Sequence, residues 1–113
     1  MSDLPIRYNS EEINGWQVWQ LRGRLDRTTA EEAAEEGEKQ LAVCRKLALD
    51  LSGLSYVSSA GIRTILKLAG GAEQAGKSIV VISSEGMVRE IVEMARLDLF
   101  VTIHASVDDL KSV

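Results

Sequence analysis

The pattern of apolar and polar residues switches between the period of a strand and that of a helix along the chain. Residues 6–9 alternate between apolar and polar side chains, and residues 16–21 are rich in aromatic and apolar ones. The Asn14-Gly15 pair between these segments is typical of a tight hairpin turn. The first 21 residues therefore predict two antiparallel strands.

Three further segments predict strands, and helical spacing separates them. Residues 46–51 alternate and lead into a turn, residues 78–83 contain the apolar run Ile79 to Ile82, and residues 100–103 form a short last strand. Helices are predicted from Thr29 with a Thr29/Glu32 capping box, from Ser58-Ser59, after a Ser84 cap, and over residues 107–113. Together they predict one α/β sandwich domain over residues 1–113, with a mixed sheet of about five strands and about four helices.

Glycine and small residues refine the two long helices. The inward face of the first helix is predicted to consist of small or apolar residues, namely Ala30, Ala33, Ala34, Gly37 and Leu41. Gly76 is expected to end the second helix in a left-handed conformation. Gly70-Gly71, inside that helix, costs about 1 kcal/mol per glycine relative to alanine, which predicts close packing or a local bend there.

The segment from Asp50 to Leu66 carries the best functional clue. Apolar residues at 62, 65, 66 and 69 have helical spacing, which puts Ser58 and Ser59 at a helix N-terminus. Free backbone N–H groups and the positive end of the helix dipole favour a negative charge at that point. The simplest role for one of the two serines is that of an N-cap.

Two motifs resemble the STAS domain of bacterial anti-sigma factor antagonists. That family has the pattern D-L-x-x-(L/V)-x-(F/Y)-(M/V/I)-D-S-(S/A)-G-(L/I). This chain matches it at Asp50-Leu51, Leu54, Tyr56-Val57 and Ser59-Ala60-Gly61-Ile62. Residues 21–26 are similar to the family's L-x-G-x-L-D. Ser58 stands where the family pattern has aspartate, which makes Ser58 a competing hydroxyl beside Ser59.

The resemblance implies a binding protein that is switched by phosphorylation. It implies that the unphosphorylated chain sequesters a GHKL-type serine kinase anti-sigma factor, that phosphorylation of Ser59 releases this partner, and that a serine phosphatase restores binding. The chain would regulate sigma-factor-dependent transcription without contacting DNA. The expected partner-binding residues surround the start of the second helix and are Asp26, Ser58, Ser59, Gly61 and Arg63.

Charge and composition narrow the choice of partners. The chain has 113 residues, 45% of them hydrophobic, a net charge of −4 and a pI near 5.0. An acidic chain opposes nonspecific binding to nucleic acid and to anionic membranes. Neither a signal peptide nor a long apolar segment is apparent, and the single cysteine, Cys44, cannot form an internal disulfide. We therefore expect a cytoplasmic protein.

The motifs of common enzymes are missing from the sequence. His104 is the single histidine, and Cys44 has no second cysteine to form a redox or metal motif. Residues 53–57 begin like a nucleophile elbow but lack its final glycine. We expect no enzyme activity, cofactor or metal. The alternatives are a non-switching STAS scaffold, a subunit of a signalling or membrane-transport complex, and a small-ligand sensor with a pocket beside Asp26.

Overall fold

The computed structural model describes residues 5–111 as five strands, three α-helices and two short 3-10 helices. The main elements in chain order are β1 (Ile6–Ile13), β2 (Trp16–Leu25), α1 (Ala30–Ala42), β3 (Lys46–Val57), α2 (Ser59–Gln74), β4 (Ser78–Ile82), α3 (Met87–Met94) and β5 (Thr102–His104). The 3-10 helices cover Leu97–Leu99 and Val107–Asp109.

The five strands form one mixed sheet in the order β1-β2-β3-β4-β5. β1 and β2 are antiparallel, whereas β2, β3, β4 and β5 are parallel to one another. Asn14 and Gly15 join β1 to β2 with φ angles of 54° and 84°, the positive values that a type I′ turn requires. The predicted hairpin and the predicted α/β class are therefore confirmed.

Each face of the sheet has its own apolar cluster. On the larger one, side chains from all three α-helices pack against strand residues that include Trp19, Leu47, Leu49 and Leu51. The opposite face carries a smaller cluster, which the C-terminal 3-10 segment helps to cover. Its buried residues are Trp16, Val18, Ala48, Val80, Ile82 and Leu110. All three α-helices thus cover the same face of the sheet.

β2 and β3 are both longer than predicted, because an irregularity in their pairing replaces the expected turn. The register shifts between Gln20 and Arg22 and again between Gly23 and Arg24. An oxygen of the Asp50 carboxylate accepts a hydrogen bond from the Ser52 amide at 3.0 Å. β3 therefore continues through Ser52 and Gly53 to Val57 and extends past Asp50, its last residue paired with β4.

Two of the predicted helix caps are wrong. The Thr29 hydroxyl donates to the Arg24 carbonyl and accepts from the Asp26 amide, both at 2.9 Å, so it does not form the capping box with Glu32. α3 begins after Gly86 with no side-chain cap, rather than after Ser84. These hydroxyl assignments fail because a loop fold, which local spacing does not reveal, decides which backbone groups a side chain can reach.

The C-terminal elements also differ from the prediction. β5 begins at Thr102 rather than at residue 100, and the last helix is the single turn Val107–Asp109. Three α-helices are thus present among residues 5–111 instead of about four. Residues 112–113, the end of that predicted helix, and residues 1–4 lie outside the described residues.

The end of α2 follows the prediction. Gly76 has a φ of 70°, its amide donates to the Glu73 carbonyl at 3.1 Å, and the Lys77 amide donates to the Ala72 carbonyl at 2.8 Å. These bonds form a Schellman motif, which uses two helix carbonyls that would otherwise lack partners.

α1 and α2 pack closely because the residues between them are small. Four of the five residues predicted for the inward face of α1 are buried, namely Ala33, Ala34, Gly37 and Leu41, whereas Ala30 is only half-buried. A Cβ atom at Gly37 would lie 2.6 Å from a methyl carbon of Leu68. The Thr64 hydroxyl also donates to the Ala30 carbonyl at 3.2 Å, which ties the two helices together near their N-termini.

Gly61 allows the first turn of α2 to lie against the end of the sheet. A Cβ atom at this position would lie 2.6 Å from the Leu25 carbonyl oxygen and 2.8 Å from a methyl carbon of Val57. Contacts this short require a backbone shift, because a carbonyl oxygen cannot move away as a side chain can. The absence of a side chain at Gly61 therefore determines how closely α2 approaches β2 and β3.

Gly70 and Gly71 do not have the packing role that the sequence predicted. Both are exposed, and a Cβ atom at either position would have nothing within 4 Å. α2 continues as a helix through both residues to Gln74. Within residues 5–111, no close contact accounts for this pair of glycines.

Alanine at Gly61 and at Gly71 should change stability in opposite directions. We expect Gly61→Ala to lower the free energy of unfolding by about 1 to 3 kcal/mol, because the added methyl group overpacks the sheet edge. Gly71→Ala should raise it by up to about 1 kcal/mol, because alanine favours the helix and meets no neighbour. Denaturant unfolding of the two variants and the wild type measures both effects; a Gly61→Ala protein as stable as the wild type would contradict the close approach.

Candidate functional site

The predicted site residues meet at the edge where β2 and β3 end. Leu25 and Val57 are register partners, and Asp26 and Ser58 directly follow them. The Ser58 amide donates to the Leu25 carbonyl at 2.9 Å, which joins the loop after β2 to the start of α2. The structure thus brings Asp26, Ser58 and Ser59 to one edge, although Asp26 precedes Ser58 by 32 residues in the chain.

Ser58 and Ser59 differ in their environments. Ser58 has extended backbone angles, and its hydroxyl oxygen accepts a hydrogen bond from the Gly61 amide at 3.3 Å. Ser58 is therefore the N-cap of α2, as expected for one of the two serines. Ser59 is the first helical residue and is exposed, whereas Ser58 is partly buried. The cap and the more accessible hydroxyl thus belong to different residues.

Asp26 organises the loop between β2 and α1. Its carboxylate accepts hydrogen bonds from the Thr28 hydroxyl at 2.6 Å and the Thr28 amide at 2.9 Å, and it lies 3.7 Å from the Arg24 guanidinium. The hydrogen bonds from Thr28, together with the charge of Arg24, lower the pKa of the Asp26 carboxyl group. Among the described residues no hydrogen bond joins Asp26 to Ser58 or Ser59, so these residues share an edge without a direct polar contact.

A mixed-charge groove of about 490 Å³ runs between α1 and α2 from this edge. Small side chains of both helices form its floor, and the basic residues Arg27, Arg63 and Lys67 line it together with Glu31, Glu35 and Glu38. Arg63 is exposed and lies one turn after Ser59. Lys67 is 3.9 Å from Glu38 across the groove, a weak contact between exposed groups.

A smaller groove of about 110 Å³ lies at the same edge, between β3 and the start of α3. Four of its residues are serines, and its apolar members are Leu51, Leu54, Met87 and Val88. Met87 is 56% exposed, and Tyr56, near the end of β3, is 42% exposed. The sequence did not reveal either as a surface residue of the site, because strand alternation alone does not show where β3 extends beyond its neighbours.

The single histidine lies away from this edge, on another strand. His104 ends β5, two strands away from β3, and its carbonyl accepts a hydrogen bond from the Ser83 amide at 2.8 Å. Within residues 5–111 there is no group of three His, Cys, Asp or Glu side chains placed to hold a metal ion. Burial raises the pKa of the Cys44 thiol, which makes it a poor nucleophile at neutral pH.

The helices of the described part of the chain are also too short or too polar to cross a membrane.

Comparisons with known proteins agree on one family. The family model described as "Mlab, STAS domain" matches residues 15–102. BtrV of Bordetella bronchiseptica, which is named as an anti-sigma factor antagonist, is 30% identical over 91 residues, or 80% of this chain and 78% of BtrV.

Solved structures share the fold. The crystal structure of an anti-sigma factor antagonist from Mycobacterium paratuberculosis has a TM-score of 0.76 at 21% identity, over 92% of this chain and 89% of that one. The phosphorylated form of SpoIIAA, a Bacillus cell fate determinant, has a TM-score of 0.65 at 15% identity, over 91% of this chain and 95% of that one. Because the family model and BtrV both match most of the chain, this protein belongs to the STAS domain family.

Proposed function

We propose that this protein is an anti-sigma factor antagonist that binds a serine-kinase anti-sigma factor and is released from it by phosphorylation of Ser59. The observation that carries the proposal is the exposed Ser59 hydroxyl at the first residue of α2, beside a separate N-cap. The 30% identity with BtrV, a protein named as an anti-sigma factor antagonist, supports the class of function. The cycle also requires a serine phosphatase that restores Ser59.

Ser59 is a better acceptor than Ser58 for physical reasons. The Ser58 oxygen already accepts the Gly61 amide hydrogen, so a phosphoryl group on Ser58 would disturb the cap of α2. Ser59 is exposed and is not required for that bond, so a kinase can reach its hydroxyl without opening the helix. The position also carries the serine of the family motif.

Phosphorylation would act on binding rather than on folding. A phosphoryl group adds a charge of about −1.5 to −2, which a protein partner closing over Ser59 would have to desolvate. Met87 and Tyr56 are exposed at the same edge of the sheet and offer apolar contact area to such a partner. We infer that the partner covers Asp26, Ser58, Ser59, Gly61 and Arg63, which are the residues of this edge and the first turns of α2.

In this proposal residues 1–113 act as one STAS domain. Its partner is a GHKL-type serine kinase, and its effect on transcription is indirect, because the kinase and not DNA is its ligand. Sequestration of an anti-sigma factor requires both proteins to be in the cytoplasm. The domain needs no enzymatic activity of its own for this role.

The kinase partner should phosphorylate Ser59. The kinase is obtained by pull-down from the native cells and incubated with ATP and each protein. We expect it to phosphorylate the wild type, Ser58→Ala and Ser58→Asn, but not Ser59→Ala. Asparagine keeps a capping oxygen at position 58, whereas alanine costs about 1 kcal/mol of stability, so the pair separates loss of the cap from loss of an acceptor. Phosphate retained on Ser59→Ala and lost from both Ser58 variants, as mapped by mass spectrometry, would contradict the assignment.

A negative charge at Ser59 should weaken partner binding. We expect Ser59→Asp to raise the dissociation constant at least about tenfold, or about 1.4 kcal/mol, while Ser59→Ala binds like the wild type. Ser78→Asp is a matched control, because Ser78 is exposed at the start of β4, on the opposite edge of the sheet. Calorimetry with the purified kinase measures the affinities of the wild type and the three variants; equal weakening by both aspartates would point to net charge instead of the site.

The phosphorylated domain should be at least as stable as the unmodified one. A phosphate on Ser59 would lie at the positive end of α2, where an exposed anion typically gains about 0.3 to 1 kcal/mol, and one turn before Arg63. We therefore expect Arg63→Ala to lower the melting temperature of the phosphorylated form more than that of the unmodified form. Lys67→Ala, one turn further along the same groove, is the control, with an equal effect on both forms expected.

A melting temperature that falls by many degrees on phosphorylation would show instead that the switch disrupts the fold.

A further inference from the structure

A groove of about 270 Å³ lies on the face of the sheet opposite the three α-helices, where the pairing of β2 with β3 is irregular. Its lining residues are Gln20, Leu21, Arg22, Asp50, Ser52 and Gly53. Strand alternation identifies the face, because Asp50 is two residues after Ala48, which belongs to the smaller apolar cluster. Asp50 also precedes Val57 by about 23 Å along β3, so the groove is separate from the Ser59 edge.

Asp50 is a buried acid with too few hydrogen-bond donors around it. It is 8% exposed and stands between its register partners Gln20 and Ile82 in the middle of the sheet. One carboxylate oxygen accepts the Ser52 amide hydrogen at 3.0 Å. Among residues 5–111 the other oxygen accepts no hydrogen bond, and no basic side chain forms an ion pair with it. Removing a carboxylate from water is unfavourable unless donors or a cation replace the lost hydration.

Arg22 lines the same groove but does not supply the missing donor. It is exposed, and within the described part of the chain its guanidinium makes no ion pair with Asp50. The Arg22 stem packs beside Gly53, where a Cβ atom would lie 2.8 Å from the Arg22 Cγ. Gly53 therefore leaves room for this stem, and the second Asp50 oxygen remains without a partner.

The free oxygen of Asp50 fits a cation that carries N–H groups. A metal ion needs several ligands, and within residues 5–111 no group of three His, Cys, Asp or Glu side chains could hold one. A guanidinium pairs best with both oxygens of a carboxylate, but the Ser52 amide already uses one of them. A primary ammonium has three N–H donors, and the side chains of Gln20 and Ser52 offer further oxygen acceptors at the groove.

We propose that this groove binds a primary alkylammonium group, which donates a hydrogen bond to the free oxygen of Asp50. The group belongs to a small free amine or to a lysine side chain of a protein partner, since both present the same ammonium on an alkyl stem. The net charge of −4 attracts cations to the chain. Arg22 has the same sign as the ligand, so the positive charge of Arg22 weakens binding.

NMR titration of the isotope-labelled full chain with n-butylammonium chloride tests the site. This cation reproduces the lysine side chain, and concentrations from about 0.5 to 50 mM cover millimolar dissociation constants. Tetramethylammonium chloride is the matched probe, because it has the same charge and no N–H group, and sodium chloride keeps the ionic strength constant. We expect saturable shifts of the Gln20, Ser52 and Gly53 backbone amides with butylammonium only.

Three variants assign the binding to Asp50. Asp50→Asn keeps an oxygen for the Ser52 amide but removes the charge, and it should weaken butylammonium binding at least about tenfold. Arg22→Gln removes the like charge and should strengthen binding at least about twofold. Asp98→Asn, which removes an exposed charge outside the groove, should bind like the wild type.

Equal affinity of the wild type and Asp50→Asn for butylammonium would overturn the proposal. So would equal shifts with the two cations, because the groove would then respond to charge alone.

The affinity for the kinase distinguishes the two sources of the ammonium group, and this arm alone depends on the proposed function. A tenfold loss of kinase affinity in Asp50→Asn that is absent from Asp98→Asn assigns the group to a kinase lysine. Unchanged kinase affinity, together with butylammonium binding, assigns it to a free amine. Phosphorylation of Ser59 is measured separately, so failure of the amine titration leaves the Ser59 proposal standing.

Discussion

β3 pairs in parallel with β2 on one side and with β4 on the other, and its Leu47, Leu49 and Leu51 are at most 1% exposed. Parallel pairing requires a crossover between successive strands, and α1 and α2 supply those crossovers on the same face of the sheet. The loops that follow β2 and β3 consequently meet at one edge. The proximity of Asp26 to the start of α2 results from this topology.

The close approach of α2 to that edge depends on Gly61 and Ser58. Gly61 leaves room for the Leu25 carbonyl, and Ser58 both donates its amide hydrogen to that carbonyl and accepts the Gly61 amide hydrogen. Because these two residues hold the helix start, Ser59 can carry a modification without contributing to the fold. In the proposed mechanism this division lets charge at Ser59 control binding while the domain remains folded.

α2 thus presents two surfaces with different properties. Its N-terminal turns lie at the edge of the sheet, with serine hydroxyls and exposed basic side chains. Its C-terminal turns border an apolar groove in which Gly70 provides a recess. About three helical turns separate the two surfaces.

The sequence by itself determined the order of the elements, the Asn14-Gly15 hairpin, the start of α2 at the two serines and its end at Gly76. Each depends on local periodicity or on backbone angles that few residues adopt. Only the tertiary structure decided that Ser58 is the cap, that Thr29 bonds to Arg24 instead of capping α1, and that β3 extends to Val57. These features depend on which distant backbone groups lie within hydrogen-bond reach, and strand pairing sets those distances.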